Sequence, residues 1–260
     1  MADLLFQTDF VSGRTDLPKV QNIEDIIYVE TYENDAYDHW LFGKDSSSLV
    51  GKVHGKVLTV QAGATVQPNF QANSVTLAAK NGNALLTDLV DTSAQNMTLS
   101  VVAKASVAIN ELAIMMGNLV PTSYTLSSGL GIFAIAEKGY VTVKPLTAAG
   151  TGGANSITPG NDIDQTDYFF LAASINKSAK TVIIYAERLG AGASNQTIWG
   201  SAYEASSNKI AIGNGFYSST STGTLNFAEA IVFDKALNLS DLQGLAKRSK
   251  PRMKNRGIIF

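Results

Sequence analysis

The chain has 260 residues, of which 45% are hydrophobic and 16% charged, and its formal net charge is −2. This balance is typical of a folded protein, excludes a largely disordered chain, and predicts neither a nucleic-acid nor a membrane partner. Cysteine is absent, so burial must stabilise the fold without disulfides, as expected of a protein assembled in a reducing cytoplasm.

The N-terminal residues differ from the rest of the chain. Two short strand-like segments, Leu4–Phe6 and Asp25–Glu30, flank a polar stretch that is too short to hold its own core. We therefore expect residues 1–38 to form an arm. The start of the chain lacks a signal-type leader, and no apolar run approaches the roughly 20 residues of a membrane helix. We expect neither standard secretion nor membrane insertion.

Short alternating segments follow from His39 onward, separated by Gly, Ser, Thr and Asn turns. They are His39–Gly43, Ser74–Ala79, Met97–Ala105, Ile109–Leu119, Gly131–Ala136, Tyr140–Lys144, Tyr168–Ile175, Thr181–Glu187, Lys209–Gly213 and Phe227–Phe233. Many short strands with one apolar face each, and almost no helical periodicity, predict an all-β protein built as a two-sheet antiparallel sandwich.

One helix is predicted near the C-terminus. Ser240 is a candidate N-cap, Leu242 to Ala246 supply an apolar face, and Pro251 should end the helix after about Ser249. We expect this face to cover a sheet edge or an open end of the sandwich. The predicted organisation is thus an arm at 1–38, a sandwich domain at 39–249 and a basic tail at 250–260.

The order of these segments resembles the laminin G-like, or concanavalin A-like, jelly-roll family. His39–Gly43 is similar to its opening strand, Tyr168–Tyr185 to a central hairpin, Lys209–Asn214 to a strand carrying Ile-Gly, and Phe227–Leu245 to its closing strand and helix. The resemblance implies a jelly-roll sandwich with one short C-terminal helix. After Tyr185 the sequence lacks the family's Asn-Gly, so we expect a longer turn there.

A second resemblance rests on general features of the sequence and not on a motif. A cysteine-free domain with a short arm and no signal resembles bacteriophage virion proteins of tails, fibres and capsid surfaces. It implies a non-enzymatic structural or adhesion component (tail, baseplate, fibre or surface decoration) that is made in the bacterial host cytoplasm and located in the virion. Its partners would be other virion proteins and further copies of the chain.

The alternative function is a carbohydrate-binding module that recognises a host-surface glycan. The candidate contacts are aromatic residues in late loops, Trp199, Tyr203, Phe216 and Tyr217, which could equally belong to the core or an interface. A polysaccharide-degrading enzyme is least favoured. The Glu-x-Asp-x-Glu triplet of jelly-roll glucanases is absent, and the acids around Glu30 and Glu33 are interpreted as a solvated arm.

Two further groups are candidates for binding. Asp162, Asp164 and Asp167 offer oxygen ligands for calcium, although a polar turn explains them as well; no other cofactor is expected. The basic residues Lys247, Arg248, Lys250, Arg252, Lys254 and Arg256 form either a solvated tail or an assembly segment that docks onto an acidic surface, such as residues 24–45 of a neighbour. Deleting residues 250–260 should then leave the domain folded and abolish assembly.

Overall fold

The computed structural model describes residues 30–108, 111–121, 127–135, 140–145, 166–198, 203–219 and 221–260. The chain divides into two units, Met1–Glu30 and Thr31–Phe260, and all strands and helices of the described residues belong to the second unit. Residues 31–38, which the sequence analysis places in the arm, thus lie in the same unit as the sandwich. The predicted strands at Leu4–Phe6 and Asp25–Glu30 lie outside the described residues, apart from Glu30 itself.

Most of the regular secondary structure in the described part of the second unit is β-strand. The strands are β1 (Asp38–Leu41), β2 (Thr59–Val60), β3 (Asn69–Gln71), β4 (Ser74–Ala78), β5 (Leu85–Val90), β6 (Met97–Ser106), β7 (Leu112–Gly117), β8 (Val120–Pro121), β9 (Ser127–Ser128), β10 (Leu130–Ile135), β11 (Tyr140–Pro145), β12 (Phe169–Asn176), β13 (Thr181–Arg188), β14 (Ala191–Ile198), β15 (Lys209–Ile212) and β16 (Thr224–Phe233). A short 3₁₀ helix spans Ser46–Leu49, and one α-helix, α1, spans Leu239–Lys254.

Two antiparallel sheets pack face to face. The eight-stranded sheet has the order β14-β13-β12-β6-β16-β4-β3, with β1 also paired to β16, and the six-stranded sheet has the order β11-β10-β7-β15-β5-β2. A small third sheet joins β8 to β9. The prediction of an all-β, two-sheet antiparallel sandwich with one C-terminal helix is confirmed.

The main hydrophobic core lies between the two sheets. Trp40, Phe42, Phe169 and Phe227 are fully buried there. Side chains of this size contribute roughly 2 kcal/mol each through removal from water. The alternation along the strands that predicted one apolar face per strand is what builds this layer.

A second apolar layer lies on the outer face of the eight-stranded sheet. Leu242, Leu245 and Ala246 of α1 pack there with strand residues such as Phe170 and Ile231. The prediction that these helix residues share one face is confirmed, but the face covers the broad outside of a sheet rather than an edge or an open end. No helix among the described residues combines the length and apolarity that crossing a bilayer requires.

The bounds of α1 differ from the prediction at both ends. Its N-cap is Asn238, whose side chain accepts the Asp241 N–H at 2.9 Å while Asp241 accepts the Asn238 N–H at 3.2 Å. The prediction that Pro251 ends the helix was wrong, because α1 continues through Pro251 to Lys254. Arg252 and Met253 are both fully buried, and their packing outweighs the hydrogen bond that proline removes.

The hairpin β13–β14 also differs from the prediction. A longer turn was expected after Tyr185, yet the strand continues to Arg188 and the turn contains only Leu189 and Gly190. Their φ values are +49° and +82°. Positive φ at both central residues gives a two-residue turn whose twist suits two antiparallel strands.

Candidate functional site

Glu229 is a carboxylate in the middle of an apolar strand. The pairing of β16 with β6 shifts register between Phe227 and Glu229, and this bulge turns Glu229 toward α1. Its side chain is fully buried. One oxygen accepts the Arg252 Nε hydrogen at 2.7 Å and lies 2.9 Å from His39 Nε2, and the other accepts the Ser249 hydroxyl at 2.5 Å.

Arg252 joins this carboxylate to a second one. Its Nη1 donates to Glu33 at 3.0 Å and to the Thr31 carbonyl at 3.2 Å, and its Nη2 donates to Ser249 at 2.8 Å. Arg248 adds hydrogen bonds of 2.8–3.1 Å to both Glu33 oxygens from the solvent side. We call Glu33, His39, Glu229, Ser249 and Arg252 the helix cluster.

The helix cluster changes the titration of its central groups. Burial alone would raise the pKa of Glu229, but hydrogen bonds and charges from His39, Arg252 and Ser249 outweigh it and lower that pKa to about 2. Burial alone would lower the pKa of Arg252, yet the pKa is raised because Glu229 and Glu33 lie beside it. Both groups are therefore ionised at neutral pH.

Serine, histidine and glutamate also occur together in hydrolase active sites, but the arrangement here is different. The Ser249 hydroxyl donates to Glu229 and not to His39, and the lowered pKa of Glu229 makes this carboxylate a weak base. The side chains of His39 and Glu229 are fully buried, and Ser249 is also fully buried. The helix cluster therefore fixes α1 to the sheet instead of presenting reactive groups to a substrate.

A second buried ionic group joins the two sheets at one end of the sandwich. Lys177, after β12, donates to the Asp91 carboxylate and, at 2.6 Å, to the Thr92 carbonyl. Tyr203 donates its hydroxyl to the other Asp91 oxygen, and its ring lies 4.4 Å from the Lys177 nitrogen. We call Asp91, Lys177 and Tyr203 the sheet-end cluster.

Burial dominates the electrostatics of the sheet-end cluster. It lowers the pKa of Lys177, and the hydrogen bond and charge of Asp91 offset only part of that effect. Burial, followed by the charge and hydrogen bond of Asp91, raises the pKa of the Tyr203 hydroxyl. The tyrosine therefore stays protonated and remains a donor.

Asp38 organises the loop that follows the 3₁₀ helix. Its carboxylate accepts the backbone N–H groups of His39 at 2.7 Å, Val53 at 3.0 Å, His54 at 3.3 Å and Lys56 at 2.7 Å. A β-carbon at Gly51 would overlap this carboxylate. Asp38 and Glu33 were interpreted as part of a solvated acidic arm, and that interpretation was wrong for both, since they are buried. Their burial is tolerated because hydrogen-bond donors surround each carboxylate.

The glycan candidates fall into different environments. Tyr203 is only 8% exposed and belongs to the inter-sheet core. This corrects the surface interpretation of Tyr203, because its ring and hydroxyl are both used inside the protein. Trp199 lies outside the described residues, so its proposed role stays a prediction.

Phe216 and Tyr217 are half-buried on the loop that follows β15. Asn214, which is fully buried, fixes this loop by donating to the Ala79 carbonyl at 2.9 Å and by accepting the Tyr217 N–H at 3.0 Å. Gln61 donates to the Gly215 carbonyl at 2.9 Å. Two aromatic side chains are thus held on an anchored loop, and their glycan role stays a prediction.

The calcium candidates are only partly described. Asp167 is exposed and forms an ion pair with Arg188, while Asp162 and Asp164 lie outside the described residues. Within the described ranges, no three His, Cys, Asp or Glu side chains gather in a way that could hold a metal ion. The calcium site stays a prediction.

The six basic assembly candidates do not form one surface. Four of them bind acceptors within the second unit. Arg248 binds Glu33, Lys250 binds Glu187, and Arg252 binds Glu33 and Glu229 in the helix cluster. Arg256 binds the Phe42 and Ala228 carbonyls. Lys247 and Lys254 are exposed. The interpretation of a solvated tail was wrong for Arg252, which is buried, and the neighbouring Met253, Ile258 and Phe260 are buried as well. The assembly role itself stays a prediction.

An apolar groove of roughly 420 Å³ lies at the end of α1. It is lined by Lys250, Pro251, Lys254, Ile258, Ile259 and Phe260. Within this lining, the Phe260 ring stacks on Phe170 with centroids 6.0 Å apart, while Ile259 is 71% exposed. A volume of this order is typical of small-molecule and short-peptide sites.

Sequence reasoning missed both buried clusters. The signal for Glu229 was a single carboxylate in the apolar run Phe227 to Phe233, because a charge there needs a buried partner. No comparable signal marks Lys177, which lies in an ordinary polar turn.

No protein-family model matches the chain, and no curated protein matches it in sequence. Similarity is found only at the level of structure. The binding domain of botulinum neurotoxin serotype D superimposes with a TM-score of 0.54 at 13% identity, covering 82% of this chain and 52% of that one.

Two related structures match equally well. The binding domain of botulinum neurotoxin DC in complex with rat synaptotagmin II gives a TM-score of 0.55 at 12% identity, covering 84% and 52%. The serotype D ligand-binding domain in complex with N-acetylneuraminic acid gives 0.54 at 11% identity, covering 82% and 51%. The chain spans about half the length of these structures. It therefore shares the β-sandwich fold of these toxin binding domains.

Proposed function

We propose that this chain is a non-enzymatic binding module whose β-sandwich holds a recognition surface. The observation that carries the proposal is the fold, because the solved structures it is similar to are binding domains. The two buried clusters support the non-enzymatic part of this proposal. Their histidine, serine, glutamate and lysine side chains bind one another inside the protein and stabilise the fold.

The proposed ligand is a glycan on a host surface. One structural neighbour binds N-acetylneuraminic acid and another binds rat synaptotagmin II. Because the chain covers about half of each neighbour, these ligands support a glycan or protein ligand without identifying it. Phe216 and Tyr217 favour the glycan, since half-buried aromatic rings on an anchored loop can stack on a sugar ring with little loss of conformational freedom.

A glycan array followed by titration calorimetry tests this proposal. Phe216→Ala and Tyr217→Ala should each weaken binding of a glycan found on the array by about tenfold, which corresponds to one lost stacking contact. Tyr37→Ala is the matched control, because Tyr37 is another half-buried tyrosine that lies outside this loop. If the wild-type protein binds no glycan, or if both loop variants bind normally, these residues are not the glycan contacts.

The finer form of the proposal places this module in a bacteriophage particle, as a tail, baseplate, fibre or decoration component made in the bacterial cytoplasm. This form of the proposal rests only on general features of the sequence, such as the absence of cysteine and the predicted short N-terminal arm. Mass spectrometry of purified particles from a cell that produces the chain tests it directly. Absence of the chain from the particles would contradict a virion role and leave the binding proposal intact.

A further inference from the structure

β14 is the last strand on one side of the eight-stranded sheet, and among the described strands none pairs with its outer edge. Its sequence, Ala-Gly-Ala-Ser-Asn-Gln-Thr-Ile, contains no charged residue and no proline, and every residue in it is exposed or half-buried. Natural sheets usually protect a long edge strand with charges, proline or a bulge. As far as the described strands show, this edge is therefore open to pairing with another strand.

Two large apolar side chains stand at the two ends of β14. Leu189, in the turn before the strand, is 63% exposed, and Ile198, its last residue, is 70% exposed. Leu189 also has a φ of +49°, a left-handed conformation that is unfavourable for a bulky residue and in which asparagine or glycine is usual. Burial within its own unit therefore does not explain a leucine at this position.

Antiparallel pairing of two copies explains both features. A two-fold axis through the centre of β14 brings the Leu189 end of one copy beside the Ile198 end of the other, and does so twice. Ser194, Asn195 and Gln196 meet near the axis, where no like charges oppose each other. An unrelated strand could use the same edge, but only a second copy is certain to carry an apolar residue for each end.

We propose that this chain forms a symmetric dimer in which β14 of one copy pairs antiparallel with β14 of a second copy and joins two eight-stranded sheets into one. This is independent of whether the module binds a glycan. It also places self-association at the sheet edge instead of at the chain ends.

Sedimentation equilibrium from about 1 to 100 μM tests the dimer over a range that detects micromolar association. Leu189→Asn should raise the dimer dissociation constant about tenfold or more. The same change should leave the melting temperature of the monomer unchanged or higher, because asparagine suits the left-handed position. Val66→Asn is the matched control. Val66 is 52% exposed in the loop before β3, the strand at the opposite edge of the same sheet.

A charge-pair experiment identifies the second copy as the occupant. Ser194→Lys and Ser194→Glu should each be monomeric, because like charges would meet near the axis, and an equimolar mixture should form a mixed dimer. A wild-type protein that stays monomeric throughout the concentration range would overturn the proposal. A dimer that is weakened by none of Leu189→Asn, Ser194→Lys and Ser194→Glu would also overturn it. So would a Ser194→Lys and Ser194→Glu pair that stays folded but fails to associate when mixed.

Discussion

The two buried clusters solve the same electrostatic problem in different ways. In the helix cluster, Glu229 accepts hydrogen bonds from several partners and Arg252 is shared between two carboxylates. In the sheet-end cluster, one lysine faces one carboxylate, with a tyrosine and a carbonyl completing the group. The pKa of Glu229 is lowered to about 2 despite burial, whereas burial lowers the pKa of Lys177 despite its partner. The partners of Glu229 therefore outweigh the effect of burial on its pKa, whereas the partner of Lys177 does not.

The largest expected effect comes from removing the helix cluster's cation together with the apolar layer around it. Deleting residues 250–260 removes Arg252, Met253, Ile258 and Phe260, all of them buried. We expect a loss of more than about 5 kcal/mol, enough to unfold an ordinary domain. This reverses the expectation from sequence that the deletion leaves the domain folded. Circular dichroism melting measures it, with Ile259→Ala as the control for an exposed residue; a deletion variant that melts like wild type would contradict it.

Arg252→Met separates the charge from the rest of that segment. It leaves Glu229 and Glu33 buried without their shared cation, and we expect the free energy of unfolding to fall by about 3–5 kcal/mol. Arg248→Met is the matched control, because the Arg248 side chain is 51% exposed and its ion pair with Glu33 should contribute less than about 1 kcal/mol. Urea unfolding measures both losses. Equal losses of unfolding free energy for the two variants would show that burial of Arg252 does not increase its contribution.

The contribution of the helix cluster to the stability of the fold should depend on pH in the acid range. Because folding lowers the pKa of Glu229 from 4.5 to about 2, the unfolded chain binds its proton first as the pH falls. The contribution is therefore complete above pH 4.5 and is lost between 4.5 and about 2, up to about 3 kcal/mol. Urea unfolding as a function of pH should show a shallower acid loss for Glu229→Gln than for wild type. Parallel curves would contradict this assignment.

A substitution in the sheet-end cluster should cost less unfolding free energy than one in the helix cluster. Lys177→Met removes the lysine but leaves the Asp91 carboxylate with the Tyr203 hydroxyl as a donor. We expect a loss of about 2 kcal/mol, smaller than for Arg252→Met. Lys180→Met is the control, because Lys180 is an exposed lysine in the same turn. A loss for Lys177→Met equal to that for Arg252→Met would break the contrast between the clusters.

Strand content was readable from the sequence wherever an apolar face alternates. Met97–Ala105 and Phe227–Phe233 were predicted as strands and form β6 and β16. β14 was missed because its residues are small and polar and show no alternation. Edge strands gain their structure from hydrogen bonds to a neighbour, which no local pattern records.

The candidate site was less predictable. Tyr203 and Phe216 are both aromatic residues in the late loops, yet one is in the core and the other half-buried. The environment of Tyr203 depends on Asp91, and the loop of Phe216 is fixed by the hydrogen bond from Asn214 to the Ala79 carbonyl. Asp91 and Ala79 lie far away in the sequence, and such distant partners leave no trace in the local pattern.

The sequence by itself determined a two-sheet sandwich, because alternation and turn residues are local properties that dictate short antiparallel strands. It also determined that the chain ends carry opposite charge. Only the tertiary structure decided where those charges meet: Arg248 and Arg252 both bind Glu33 within a single unit, and α1 continues past Pro251. The physical reason is that burial and ion pairing depend on which distant segments pack together, and that packing outweighs the local preference of a proline or a charged tail.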